Sequence, residues 1–173
     1  MGLKILHTAD LHLDSPFGGF SDEQRQLLKQ QQKLLPGKIA DLCQREGCDL
    51  MLLAGDIFDG EASRDTMDIL KKALARCGVP VFVAPGNHDF CAPNSPWLAE
   101  SWPENVHIFT GALESVVLED LSCRVWGAGF RSILLKGKDA KRTLFLSIYR
   151  ELIGRELVGR ELAGRELAGR ELL

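Results

Sequence analysis

Apolar residues concentrate in three short runs, Leu3 to Ala9, Asp49 to Ala54 and Val79 to Ala84, separated by longer stretches in which they recur at helical spacing. Runs of this length without alternation predict buried strands, and the first, mostly apolar throughout, is expected to be covered on both faces. From Ser21 the pattern becomes helical. Ser21 or Asp22 can cap, Glu23 and Gln24 follow, and Leu27, Leu28, Leu34 and Leu35 recur on one side. Pro36-Gly37 interrupts that stretch and predicts a break or kink, with a second helical piece from about Lys38 to Arg45. Asp65 to Arg76 reads as another helix that stops at Gly78. Strand, helix, strand, helix, strand at this spacing predicts parallel pairing through right-handed crossovers. Beyond a loop carrying Pro93, Pro96 and Pro103, the runs Val106 to Phe109, Glu114 to Leu118 and Cys123 to Trp126 predict an edge hairpin or the start of a second sheet.

The C-terminal stretch is different in kind. From Arg150 the chain repeats Arg-Glu-Leu-x-Gly with a period of five. On a helix each repeat advances about 140°, so Leu152, Leu157, Leu162, Leu167 and Leu172 spiral around the axis and build no apolar face. Glycines at 154, 159, 164 and 169 would each cost about 1 kcal/mol relative to alanine. The favourable i,i+4 pairs, such as Glu151 with Arg155, return only about 0.2–0.5 kcal/mol each. The glycine penalty wins, and a frayed helix or disordered segment is expected.

Length and composition narrow the class. A chain of 173 residues with 45% hydrophobic and 26% charged residues suits one soluble globular domain. No apolar stretch is long enough for a membrane span, and the N-terminus offers no room for a signal-peptide core. The five cysteines, at 43, 48, 77, 91 and 123, form no Cys-x-x-Cys pair and are expected to be reduced thiols of a cytoplasmic protein. A net charge of −3 gives no basic footprint for nucleic acid, although two bound dications would make one cleft locally positive.

The chemistry lies where the three strand-like runs end. Asp10-Leu11-His12, Gly55-Asp56-Ile57-Phe58-Asp59 and Gly86-Asn87-His88-Asp89 all fall where ligands of open parallel sheets bind, outside the carboxyl ends of the strands. Asp10 and His12, two residues apart on an extended strand end, can point the same way toward one ion. Asp56 has two carboxylate oxygens with which to bridge two ions, Gly55 would let the backbone come close, and Asp59 can orient ligands from behind. Asn87 offers a neutral oxygen. His88 is placed to meet a phosphate or protonate a leaving oxygen, with Asp89 holding its ring. Each segment alone is an ordinary strand-ending turn, but three on one sheet edge point to a metal-dependent phosphoesterase using manganese, iron or zinc. His7 and His107 stand inside strand-like runs with no partner motif and are expected to serve packing or hydrogen bonding.

The segments ILHTADLHLDSPFGG, LLAGDIFD and PGNHD resemble the first three motifs of the calcineurin-like metallophosphoesterases, in particular the bacterial SbcD/YhaO-type DNA-repair exonucleases. The similarity covers about residues 1 to 130 and includes ENVHIF and RVWGAGF. It implies an α/β sandwich, a parallel-rich sheet flanked by helices, cut short before its second half. It also implies that Asp10 and His12 bind a first metal, Asp56 bridges, Asn87 binds a second and His88 stabilises the transition state. Two divalent ions, manganese first among them, would activate water against a DNA phosphodiester, and an SbcC-like ATPase is the implied partner.

Members of that family continue with a further histidine and a Gly-His-x-His motif, whereas this chain has no histidine after His107. On the resemblance the first ion keeps three protein ligands and the second two, so the second site should be weakened and activity impaired. The chain therefore divides into a nuclease-type portion at 1–130, a divergent connector at 131–149 and the pentad tail at 150–173. A small-substrate phosphodiesterase or phosphatase, or a non-catalytic binding remnant, are the alternatives that the residues leave open.

Overall fold

The computed structural model describes residues 2–131 and 145–150. The first sheet has four parallel strands in the order β1 (Ile5–Thr8), β2 (Leu50–Ala54), β3 (Val81–Ala84) and β4 (Val106–Ile108). Helices α1 (Asp22–Glu46) and α2 (Arg64–Cys77) form the crossovers, and the short α3 (Pro96–Ala99) lies in the proline-rich loop. A second, antiparallel sheet holds β5 (Glu114–Leu118), β6 (Cys123–Ala128) and β7 (Phe145–Arg150), with Ala128 opposite Phe145 and Cys123 opposite Arg150. Thus β4 completes the parallel sheet rather than opening the second one. The stretch read above as a connector contributes the backbone of β7. Residues 151–173, with the expected frayed tail, lie outside the described residues.

The alternation of side chains along the strands separates two cores. Met51, Leu53, Val81 and Val83 face the helices and pack with Ala40 and Cys43 of α1 and with Met67, Leu70, Leu74 and Cys77 of α2. Leu50, Leu52, Phe82 and Ala84 face the opposite way, against Phe109, Cys123 and Val125. The molecule is therefore layered as helices, parallel sheet, antiparallel sheet.

Two local expectations differ from the structure. Strand β1 is an edge strand, with Ile5 and His7 exposed and Leu6 and Thr8 half-buried, so it is not covered on both faces by the described residues. Helix α1 runs without a break through Pro36, which is buried. The missing amide of Pro36 costs the helix one bond. Packing against α2 compensates: Leu35, Ile39, Ala40 and Cys43 meet the α2 side chains, and Arg76 of α2 donates to the Gly37 carbonyl at 3.1 Å and pairs with Asp41 at 2.7 Å. The helix ends are conventional. Ser21 and Gln24 form a reciprocal capping box on α1, Ser63 caps α2, and Gly47 and Gly78 close the two helices in left-handed conformations. Asp14, just after β1, accepts from the Ser63 amide at 2.6 Å and the Thr66 hydroxyl at 2.7 Å, which ties the first loop to the start of α2.

Candidate metal centre

The strand ends are laced together by backbone hydrogen bonds that continue the sheet into its loops. The Asp10 amide donates to the Gly55 carbonyl at 3.0 Å, His12 to Asp56 at 3.0 Å and Leu13 to Ile57 at 2.8 Å, while the Asp59 amide returns to Leu13 at 2.9 Å. Gly55 in turn donates to Ala84 at 2.8 Å, joining the third strand to the group. Asp10, His12 and Asp56 all sit in the left-handed region, at φ of 54°, 43° and 50°. Such a conformation is uncommon outside glycine and persists where surrounding contacts over-determine it. Asp10 and His12 therefore do not stand on an extended strand end as their spacing suggested; β1 ends at Thr8, and left-handed turns bring them together.

Two constellations result. Asp10, His12 and Asp56 bring one ligand atom each within 4.8 Å of one another, and so do His12, Asp59 and His88. The first set, two carboxylates and an imidazole, suits a divalent first-row ion, and its spacing fits ligands converging on one centre. Asn87 lies half-buried between Gly86 and His88, on the strand end next to Asp56. The close approach expected of Gly55 occurs instead at Gly86, where an added Cβ would overlap the Asp56 carboxylate and amide. Gly55 itself is needed for its φ of 82°.

Asp59 links the imidazoles. Its Oδ1 lies 3.3 Å from His12 Nδ1 and 3.0 Å from His88 Nδ1, and its Oδ2 accepts from the Ser15 hydroxyl at 2.9 Å. The Ser15 bond holds the Asp59 carboxyl below the usual carboxylate range, against the opposing effect of partial burial, with His12 and His88 adding to the lowering. The two rings meet edge to face with centroids 4.9 Å apart. His88 also donates its amide to Asp56 Oδ1 at 3.0 Å, which couples the third motif to the second.

Asp89, expected to hold the His88 ring, does something else. It is buried, and its carboxylate accepts from the amides of Gly86 at 2.7 Å, Ile57 at 2.9 Å and Phe58 at 3.2 Å. Burial pushes its pKa up, the three amides oppose that, and the nearby Asp56 charge adds to the rise. Asp89 therefore clamps the second and third loops together from beneath, and Asp59 supplies the ring contact. Trp97 secures the clamp by donating its indole N–H to the Asp89 carbonyl at 2.6 Å, and it stacks on Trp102 and packs against Phe58.

The roles missed in the sequence are those of Ser15 and Asp14, whose only signal was their place directly after the Asp-x-His segment. Of the two isolated histidines, His107 packs against Phe82 and Phe109 and lies 3.7 Å from Glu114, whereas His7 is exposed on β1. Cys43, Cys48, Cys77 and Cys91 are free thiols. Among the described residues no helix is long and apolar enough to cross a membrane.

A layered α/β fold with carboxylates and imidazoles gathered at the carboxyl edge of a parallel sheet is the architecture of a metal-dependent phosphoesterase. The family model for calcineurin-like phosphoesterases matches residues 3–154, and the chain belongs to that family. It is 42% identical over 119 residues to a protein of Bacillus subtilis (strain 168) described as the uncharacterized metallophosphoesterase YhaO. That match covers 64% of this chain and 28% of the relative, so the chain spans well under half the length of the curated relative it matches.

Proposed function

We propose that this chain carries the first part of the two-metal site of a phosphodiesterase that acts on DNA from its ends, in the manner of the DNA-repair exonucleases, with activity impaired by the ligands it lacks. The observation that carries the reading is the convergence of Asp10, His12 and Asp56 within 4.8 Å, with His88 joined to Asp56 through its amide. Asp10, His12 and Asp56 would hold one divalent ion, manganese by preference, and Asp56 with Asn87 a second and weaker one. Such ions supply charge neutralisation at the phosphoester and lower the pKa of water. With Nδ1 of His88 directed to Asp59, Nε2 is the ring atom left to meet a phosphate oxygen and pass a proton to the leaving oxygen. Asp59 orients both imidazoles, and Asp89 keeps the loops in register. The free thiols and the lack of a membrane-spanning helix among the described residues fit a cytoplasmic enzyme. An SbcC-like ATPase is the partner this reading carries from the sequence resemblance.

Manganese calorimetry followed by nuclease assays on single- and double-stranded DNA tests it. The expected result is one tight and one weak manganese site, with weak manganese-dependent DNA cleavage that His88→Ala abolishes while manganese still binds. Hydrolysis confined to small phosphate esters would replace DNA with a small substrate. DNA binding without cleavage in excess manganese would reduce the chain to a binding module, and two equally tight sites would contradict the uneven ligand sets.

A further inference from the structure

The loop that leaves the metal centre carries two aromatic rings that neither core uses. Phe17 and Phe20 pack edge to face, with centroids 6.4 Å apart at 74°, and belong to neither of the two core clusters. Phe20 is 49% exposed. A phenylalanine left this open forgoes much of the stabilisation its burial would bring. Phe17 adopts a φ of 51°, an outlier for a bulky side chain.

The loop is nevertheless held firmly. The Ser15 amide donates to His12 at 3.1 Å, the Gly19 and Phe20 amides to the Phe17 carbonyl at 3.2 and 3.4 Å, and Arg25 Nη2 to the Phe20 carbonyl at 3.2 Å. Arg25 is itself paired with Asp22 at 3.0 Å at the start of α1. Phe17 is half-buried and Phe20 exposed, so the strained residue backs a ring that stands open to solvent in a tight loop.

The position of the two rings points to a use. Ser15 bonds Asp59, which contacts both His12 and His88, and Phe17 lies two residues further on. Two residues span at most about 7 Å, so Phe17 lies close to Ser15 and, through the Ser15–Asp59 bond, beside the His12 and His88 side of the centre. Base-on-ring stacking needs an exposed π-face held rigidly at such a distance, and it tolerates any base.

We propose that Phe17 and Phe20 form a stacking platform for a nucleobase of the strand whose phosphate occupies the Asp10, His12 and Asp56 centre. This rests on the phosphodiester reading above and deepens it: the platform selects a polynucleotide over an isolated phosphate ester, and Arg25 acts as a positioning residue for it.

The test compares two fluorescein-labelled single-stranded DNA oligonucleotides with hydrolysis-resistant phosphorothioate linkages. One carries its bases, and the other carries abasic tetrahydrofuran residues near its end. With the full chain and manganese, fluorescence anisotropy should show the base-bearing strand bound about 10-fold or more tightly, the scale of stacking on an aromatic side chain. The double variant Phe17→Ala/Phe20→Ala should bind both strands equally, at the affinity of the abasic one. Phe17→Tyr/Phe20→Tyr should restore the difference. Manganese affinity should not change in any variant, since neither ring supplies a donor atom. An equal loss for both strands, no loss, or weakened manganese binding in the alanine variant would overturn the platform while leaving the phosphodiester reading standing. Failure of the unaltered chain to bind either strand would overturn that reading and the platform with it.

Discussion

The Asp59 carboxylate stands 3.0 Å from His88 Nδ1, so a residue of the second motif sets the orientation of the imidazole offered by the third. Asp59 also reaches His12 and Ser15, which makes it the side chain through which the first and third loops sense each other. Replacing it with asparagine keeps the size but offers the rings a single acceptor oxygen and removes the charge. Asp59→Asn should lower the rate of phosphodiester hydrolysis by about 10–100-fold, the usual cost of losing a partner behind a ligand. The fold should survive, so unchanged thermal denaturation with a reduced rate is the expected pair of results. An unaltered rate would remove Asp59 from the site.

Gly86 admits the Asp56 side chain and amide to the space a Cβ would fill. Gly86→Ala must push Asp56 or the β3 end aside, at about 1–3 kcal/mol for overpacking. Because Asp56 belongs to the Asp10 and His12 cluster, manganese affinity should fall together with the melting temperature. Calorimetry and a thermal melt on one preparation measure both. Retained affinity would show that Asp56 is not a ligand.

Asp89 satisfies three buried amides, those of Gly86, Ile57 and Phe58. Asp89→Ala strands all three at once, at about 1–3 kcal/mol for each unsatisfied group. A loss of at least about 3 kcal/mol in urea unfolding is expected. Asp89→Asn keeps one acceptor oxygen and should recover part of it. If alanine removed activity and left stability untouched, the clamp role would be wrong and a place in the chemistry would follow.

The thiols should react unequally. Cys43, Cys77, Cys91 and Cys123 are buried and Cys48 is half-buried, so iodoacetamide should label Cys48 first in the native protein. Alkylation requires the thiolate. Burial pushes the Cys91 thiol up to about 11, with the Asp89 charge adding to the rise. Burial also pushes the Cys43 thiol up, with Cys77 and Cys48 contributing. Since a raised thiol pKa means less thiolate at neutral pH, Cys91 labelling should increase with pH until about 11 while the fold persists. Peptide mass spectrometry across a pH series measures this, and rapid labelling of Cys91 at pH 7 would contradict it.

The elements that were legible in the chain are those whose signal is local. The apolar runs before Asp10, Gly55 and Gly86 became parallel strands, and Ser21 and Gly78 mark helix ends as their chemistry requires. Pro36 misled because its local cost is real but is offset by α2, a contact that spacing along α1 does not reveal. The composition of β1 suggested cover on both sides, whereas its position in the strand order leaves it at the edge. The second sheet was visible only as fragments, because its third strand, Phe145–Arg150, is separated in sequence from β6 and recognisable only by its pairing.

For the site, residue type and position after a strand were enough to name Asp10, His12, Asp56, Asn87 and His88 as candidates, because parallel strands must deliver their ends to one edge. Which carboxylate meets which ring was another matter. Asp59 and Asp89 have similar surroundings in sequence, each following a strand by a few residues, and either could have reached His88. Backbone hydrogen bonding decided between them: the buried amides of Gly86, Ile57 and Phe58 claim Asp89, and the half-buried Asp59 is left to the imidazoles. The sequence by itself determined which ligand chemistry this protein brings to its sheet edge. The tertiary structure alone decided how those groups are oriented, because an unpaired amide in the interior costs more than a side chain redirected to meet it.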